Sequence, residues 1–243
     1  MKETSFHFKY FTVHQDKCAM KVGTDGVLLG AWVDVADAKT ILDIGTGTGL
    51  ISLMLAQKSF SEIHAVDIEE NAYNQARENF LISPWYNRLI PFHQSFQEFA
   101  ANTKSKYDLI VSNPPYFHHA SKPPEESRTY ARHDDHLTFE ELIRGVKKVI
   151  SDNGRFCVIL PYKEGIEFMD MAMRNGLFCR ELMKVRTKAE GLEKRVMMEF
   201  HQQFGSMNES CLTIKDKNDH FTSEYIELTK DYFLNLEHEK ESN

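Results

Sequence analysis

The chain has 243 residues, 42% of them hydrophobic, and a formal net charge of −7. It is long enough to bury a substantial core, and its total charge argues against nucleic-acid binding by bulk electrostatics alone. No apolar run approaches the ~20 residues of a membrane span, and residues 1–13 carry no signal-peptide core, so a soluble, cytoplasmic protein is expected.

In chain order, Phe6, Phe8 and Tyr10 alternate as one face of an edge strand, and Gly26 to Val33 is a short apolar run. A regular strand and helix alternation follows. Thr40 to Ile44 reads as a buried strand, Leu50 to Gln57 as a helix, Glu62 to Asp67 as a strand and Glu70 to Leu81 as a helix. Leu89 to His93 and Tyr107 to Val111 are further strands. Thr138 with Glu141 forms a capping-box pattern that opens a helix through Ile150, and Gly154 to Leu160 is a fifth strand. Such alternation predicts an α/β fold with a mainly parallel sheet covered on both faces. The last third changes rhythm, with a helix near Glu164 to Arg174 and two strand-like runs, Phe178 to Val185 and Val196 to Phe204, joined by a basic loop. Cys18, Cys157, Cys179 and Cys211 lie too far apart for a disulfide or zinc framework and read as small core residues.

The first chemical motif is Asp43-Ile44-Gly45-Thr46-Gly47-Thr48-Gly49, at the turn from the first buried strand into a helix. Glycines there allow a sharp turn and close approach of a ligand, at the edge where doubly wound sheets bind cofactors. The spacing departs from the dinucleotide pattern, and Asp43 puts negative charge where a pyrophosphate would be repelled. A cationic amino group or sulfonium suits it better. Asp67 closes the next strand, where a carboxylate can accept from both hydroxyls of a ribose.

These residues resemble the class I methyltransferases that use S-adenosylmethionine. The resemblance implies a Rossmann-like fold with a seven-stranded, mostly parallel sheet, helices on both faces and an antiparallel C-terminal hairpin. It implies that Asp43, Gly45, Gly47 and Gly49 form the cofactor loop, that Asp67 and Ile68 hold the ribose side, and that Ser95 and Phe96 flank the adenine. Ser95 stands where that family usually has an acid. Asn113-Pro114-Pro115-Tyr116, after the strand ending at Val111, is similar to the catalytic motif of members that methylate conjugated amino groups. An exocyclic amine has its lone pair delocalised into the ring and must be pyramidalised before it can attack. The Asn113 side-chain oxygen and the Pro114 carbonyl can each accept one N–H, Pro115 stiffens the turn, and Tyr116 offers a ring for the base to stack on. Asn113 also borders the cofactor side.

Between Phe117 and Leu137 lies a long segment carrying His118, His119, His133 and His136, whose spacing matches no familiar zinc pattern; no metal is expected. The resemblance narrows further. Phe6 to Val13, Met20 to Trp32, Arg132-His133, Lys194-Arg195-Val196 and Tyr225 to Leu234 are similar to the bacterial tRNA(Val) adenine N6-methyltransferase family. This implies N6-methylation of the adenosine 3′ of the anticodon in a valine tRNA, with Thr24 and Asp25 closing over the methionine end of the cofactor. An amino-methyltransferase acting on ribosomal RNA guanine or a protein glutamine, and a catalytically idle RNA-binding protein, are the alternatives.

A single methyltransferase domain over 1–243 is expected, with residues 1–35 packing over the cofactor site and 206–243 forming an acidic segment with a terminal helix. That segment holds four Lys against nine acidic residues, net −5, leaving net −2 for the remainder. Within the remainder, Lys184, Arg186, Lys188, Lys194 and Arg195 form the candidate tRNA-binding surface.

Overall fold

Successive strand residues face opposite sides of a sheet, and this alternation lays out the layers of the computed structural model, which describes residues 4–18, 21–114 and 137–234. A small antiparallel hairpin, β1 (Ser5–His7) and β2 (Thr12–His14), precedes the main sheet. The main sheet contains β3 (Thr40–Ile44), β4 (Glu62–Asp67), β5 (Leu89–His93), β6 (Tyr107–Ser112), β7 (Ile150–Pro161), β8 (Phe178–Lys188), β9 (Glu193–His201) and β10 (Asn208–Lys215). Ile41, Ile63, Leu109, Val111 and Ile159 point to one buried cluster, Leu42, Ile44, Ile110, Val158 and Leu160 to the other. The first face is covered by α1 (Thr24–Trp32), α2 (Leu50–Lys58) and α3 (Glu70–Ile82), the second by α4 (Phe96–Asn102), α5 (Phe139–Val149) and α6 (Tyr162–Arg174).

The strand order is β10-β8-β9-β7-β6-β3-β4-β5. β3 is parallel to both β4 and β6, so the connections leaving its two neighbours diverge at this point. That is the topological switch point, where open α/β sheets form a crevice at their carboxyl edge. β9 is antiparallel to β7 and β8, giving the expected C-terminal hairpin.

Several expectations are corrected. The sheet has eight strands, because β10 lies in the acidic C-terminal segment and runs parallel to β8. Only Leu212 and Ile214 of β10 are buried, too short an apolar pattern to stand out, and the strand is held by its backbone at the sheet edge. The N-terminal alternation stops at Phe8, whose N–H donates to Phe11 O, so the chain doubles back and Tyr10 is left exposed at the turn. β8 and β9 run further towards each other than expected, placing Arg186, Lys188, Lys194 and Arg195 within strands rather than in a loop. Of the cysteines only Cys157 is buried, and Cys211 is exposed. A short helix, α7 (Ser223–Thr229), stands in the C-terminal segment.

The N-terminal hairpin and the residues just after α7 clasp each other over α2. Lys9 N–H donates to Tyr232 O, Phe6 and Phe8 pack on Phe233, and the Tyr232 hydroxyl donates to Met54 O. No helix among the described residues is long and apolar enough to cross a membrane.

Gly49 is the N-cap of α2, with φ +82°, and a Cβ built on it would stand 2.5 Å from Phe80 Cε1. Gly49→Ala is therefore expected to destabilise the protein by roughly 2–4 kcal/mol through left-handed strain plus overpacking. Urea denaturation measures this; a change below about 0.5 kcal/mol would mean that the ring and the turn give way freely.

Candidate functional site

Strand alternation sends Asp43 towards α2, where it is fully buried. Its Oδ2 accepts from the Thr46 hydroxyl (2.7 Å), the Ser52 hydroxyl (2.7 Å) and the Ser52 N–H (3.2 Å). One carboxylate oxygen thus fastens the glycine turn to the first turn of the helix behind it. Oδ1 is buried without a hydrogen-bond partner. Burial pushes the carboxyl from its ordinary 3.8 up to about 6, against the Thr46 and Ser52 hydrogen bonds and with some help from the like charge of Asp67.

The turn itself has three left-handed glycines, Gly45 (φ +71°), Gly47 (φ +58°) and Gly49. Four of its five amides are already committed: Gly45 N–H and Thr46 N–H donate to Val66 O, Gly47 N–H to Asp67 Oδ2 (2.8 Å) and Gly49 N–H to Thr46 O. A phosphate-binding turn needs such amides aimed outward at the ligand. This turn instead presents open space, for a Cβ on Gly45 or Gly47 would meet nothing within 4 Å.

That space belongs to a cavity of about 580 Å³ lined by Lys21, Gly23 to Gly26, Gly45 to Thr48, Leu50, Ile51, Asn113, Pro114 and Arg195. Asn113 and Pro114 arrive there because β6 adjoins β3, with Ser112 opposite Ile44 and its hydroxyl donating to Ile44 O (3.0 Å). Thr24 and Asp25 arrive because residues 21–26 form the opposite wall. That wall is anchored through buried amides: Asn79 accepts from His14 N–H and donates to His14 O and Thr48 O, Gln75 accepts from Lys17 N–H, and Gln15 accepts from Val22 N–H.

The expected site residues therefore separate into groups. Thr24, Asp25, Gly45, Gly47, Asn113 and Pro114 line one cavity, with Arg195 unexpectedly among them. Asp43 and Gly49 support it from behind. Asp67 and Ile68 stand at the next strand end. Asp67 also accepts from Glu69 N–H, burial raises its carboxyl, and Ile68 is an exposed apolar residue whose carbonyl faces His93 Nε2 at 3.1 Å. Ser95 N-caps α4 by accepting from Glu98 N–H, while Phe96 is buried with its ring packed at Gly145 of α5, in the core. Pro115, Tyr116 and the histidine-bearing stretch as far as His136 lie outside the described residues. Lys21, Thr46, Thr48, Ser52, Asn79 and Ser112 were not singled out by sequence; their roles arise from contacts between distant elements.

Four of the five candidate RNA-binding residues on β8 and β9 are paired with acids. Lys184 meets Glu209 at 2.6 Å, Arg186 meets Glu193 at 2.6 Å, Lys188 meets Asp219 at 2.8 Å and Arg195 meets Asp25 at 2.7 Å. Lys194 makes no ion pair among the described residues. No group of three metal-ligating side chains occurs among those residues either.

The chain matches the family model "Methyltransferase small domain" over residues 18–183. It is 46% identical over 237 residues to a protein of Trichodesmium erythraeum named tRNA1(Val) (adenine(37)-N6)-methyltransferase, covering 96% of this chain and 99% of the relative. A Bacteroides fragilis protein of the same name is 44% identical, covering 97% and 100%. Among solved structures, one described as a predicted O-methyltransferase from Agrobacterium tumefaciens has a TM-score of 0.66 at 15% identity, covering 86% of this chain and 96% of that one. A ribosomal protein L11 methylase from Lactobacillus delbrueckii has a TM-score of 0.52 at 16% identity, covering 74% and 77%. At those identities the structural likeness speaks for the fold.

The raised Asp43 carboxyl has a consequence for stability. The folded state keeps a proton that the unfolded chain loses near pH 4, so the contribution of this group falls as pH rises from about 4 through 6 and then levels, by about 3 kcal/mol in all. Asp43→Asn removes that dependence. Its stability relative to the native chain should therefore rise by up to about 3 kcal/mol between pH 4 and pH 7 in urea titrations, whatever fixed offset the amide introduces. A pH-independent difference would show that the carboxyl titrates at its ordinary value.

Proposed function

The chain belongs to the tRNA1(Val) (adenine(37)-N6)-methyltransferase family, and on that premise we propose that it methylates the N6 amino group of adenine 37 in tRNA1(Val), with S-adenosylmethionine as methyl donor. The observation that carries this is the sharing of one cavity by the glycine turn and Asn113-Pro114. Donor and acceptor sites meet there without an intervening wall. The residues present fit the cofactor. Asp43 and Asp67 concentrate negative charge around the turn, the committed amides disfavour phosphate, and the lining combines the cations Lys21 and Arg195 with Asp25, matching a zwitterionic amino-acid end. Bound, S-adenosylmethionine supplies an electrophilic methyl on a sulfonium.

The protein's part is positioning. The Asn113 side-chain oxygen and the Pro114 carbonyl accept the two amino hydrogens, turning the nitrogen lone pair towards the methyl and stabilising positive charge as the C–N bond forms and the C–S bond breaks with its electron pair leaving on sulfur. The proton is shed readily once the nitrogen is cationic, so no strong base is required. Asp67 is suited to accept from the ribose hydroxyls, with Ile68 beside it as an apolar shelf for the base.

Asn113→Ala should lower methyl transfer at least ~10²-fold, as loss of one preorganised partner does elsewhere, while changing cofactor affinity only a few-fold. Mass-spectrometric nucleoside analysis of tRNA1(Val) and calorimetry with S-adenosylmethionine measure the two. Methylation within a few-fold of the native enzyme would move the chemistry away from Asn113.

For the RNA side, we propose that Lys194 carries more of the phosphate contact than Lys184, Arg186 or Lys188, whose carboxylate partners compete with a phosphate. Lys194→Glu should raise the Michaelis constant for tRNA and reduce the slope of log K against log salt by about one unit, with Lys184→Glu moving it less. Equal effects would mean that the ion pairs open on RNA binding.

A further inference from the structure

Arg195 differs from the other paired cations in where its partner comes from. Lys184, Arg186 and Lys188 meet acids of β10, β9 and the turn after β10, close by in the same C-terminal part of the fold. Arg195 reaches Asp25, 170 residues away in the first turn of α1, and both residues line the cavity that holds the glycine turn and Asn113. Backbone register explains the reach: Arg195 lies opposite Pro161 at the end of β7, while β7 in turn flanks β6, so the side chain starts at the carboxyl edge of the sheet beside the acceptor strand.

We propose that Arg195 is a positioning residue, and that its ion pair with Asp25 is a strap drawing the N-terminal wall of the cavity onto the C-terminal strands. The assignment rests on the methyltransferase reading of the site but goes beyond it, and it moves Arg195 from the RNA surface to the cavity. The guanidinium is held at two points, Nε donating to Asp25 Oδ2 at 2.7 Å and Nη1 to Lys194 O at 2.9 Å, so it is oriented and not merely attracted. Its position is transmitted along a short path. Asp25 precedes Gly26, where a Cβ would stand 3.0 Å from Leu50 Cδ2 and 4.0 Å from Asn113 Nδ2. The first turn of α1 is therefore packed directly against Leu50, at the start of α2, and against Asn113. A shift of that turn changes both the width of the cavity and the space around the acceptor-binding amide. α1 has no side-chain N-cap at Gly23 to fix this turn locally, so the cross-chain pair takes that task.

The test is a charge exchange. Asp25→Arg and Arg195→Asp, each alone and combined, are compared with the native enzyme for cofactor affinity by calorimetry, for kcat on tRNA, and for the salt dependence of tRNA binding; Arg195→Lys keeps the charge without the fork. Each single exchange should weaken S-adenosylmethionine at least tenfold and lower kcat, with the salt slope unchanged. The double exchange should regain most of the affinity, and Arg195→Lys should remain impaired. The inference is overturned if Arg195→Asp leaves cofactor affinity intact while reducing the salt slope by about one unit, as a lost phosphate contact would, or if the double exchange binds no better than the worse single variant. Thermal melts of all four variants separate folding failures from these outcomes, and Arg195→Lys, the mildest of them, decides if the exchanges unfold. Because the calorimetric arm needs no RNA, cofactor binding that follows this pattern upholds the strap even where native protein leaves tRNA1(Val) unmethylated, which would count against the proposed substrate alone.

Discussion

The site is organised by one buried carboxylate. Asp43 is carried to the α2 side of the sheet by strand alternation, and its Oδ2 gathers three donors from Thr46 and Ser52. These bonds only partly offset the loss of water around the charge, which is why burial leaves the carboxyl pushed up to about 6. With Thr46 and Ser52 fixed, the turn has little freedom left. Most of its amides fall onto Val66 O, Asp67 and Thr46 O, and Gly45 and Gly47 leave open space beside them. A turn of glycines elsewhere binds phosphate; this one has most of its amides committed within the protein and two carboxylates near it. The chemical preference for a cation follows from that geometry rather than from the glycine spacing.

The second constraint is topological. Because β3 lies between β4 and β6, the glycine turn and the loop that carries Asn113 leave neighbouring strand ends, about 4.8 Å apart. Ser112 then locks the two ends together through Ile44 O. Group transfer needs two ligands held close together, and adjacent strand ends at a switch point favour that. The N-terminal segment completes the cavity through contacts that are polar and long-range. Asn79, buried in α3, holds both His14 and Thr48, so the wall and the glycine turn share one anchor.

This division explains what the sequence disclosed. The strands at 40–44, 62–67 and 89–93, the glycine turn, Asp67 and the Asn113 motif are local patterns, and local patterns survive without knowledge of partners. β10 did not, since five of its eight residues are polar and its place is set by backbone pairing with β8. Phe96 shows a related limit: the resemblance implied a place beside the adenine, while the packing of its ring into the gap above Gly145 of α5 became visible only in the fold. The basic residues are the clearest case. Their clustering was visible, while their partners Glu209, Asp219 and Asp25 come from other parts of the chain, and only the folded register brings them within ion-pairing distance.

That pairing bears on how such a protein would select an RNA. Affinity for nucleic acid in general grows with the number of phosphates neutralised and the counterions released. A cation already beside a carboxylate contributes little to that count, because the phosphate must replace or share its partner. An acidic chain with most of these cations paired therefore gains little from indiscriminate backbone contact. On the proposed assignment of Asn113 and Pro114 as amino-hydrogen acceptors, discrimination would pass instead to the step at which an adenine leaves its stack and enters the cavity, a step least costly in a loop.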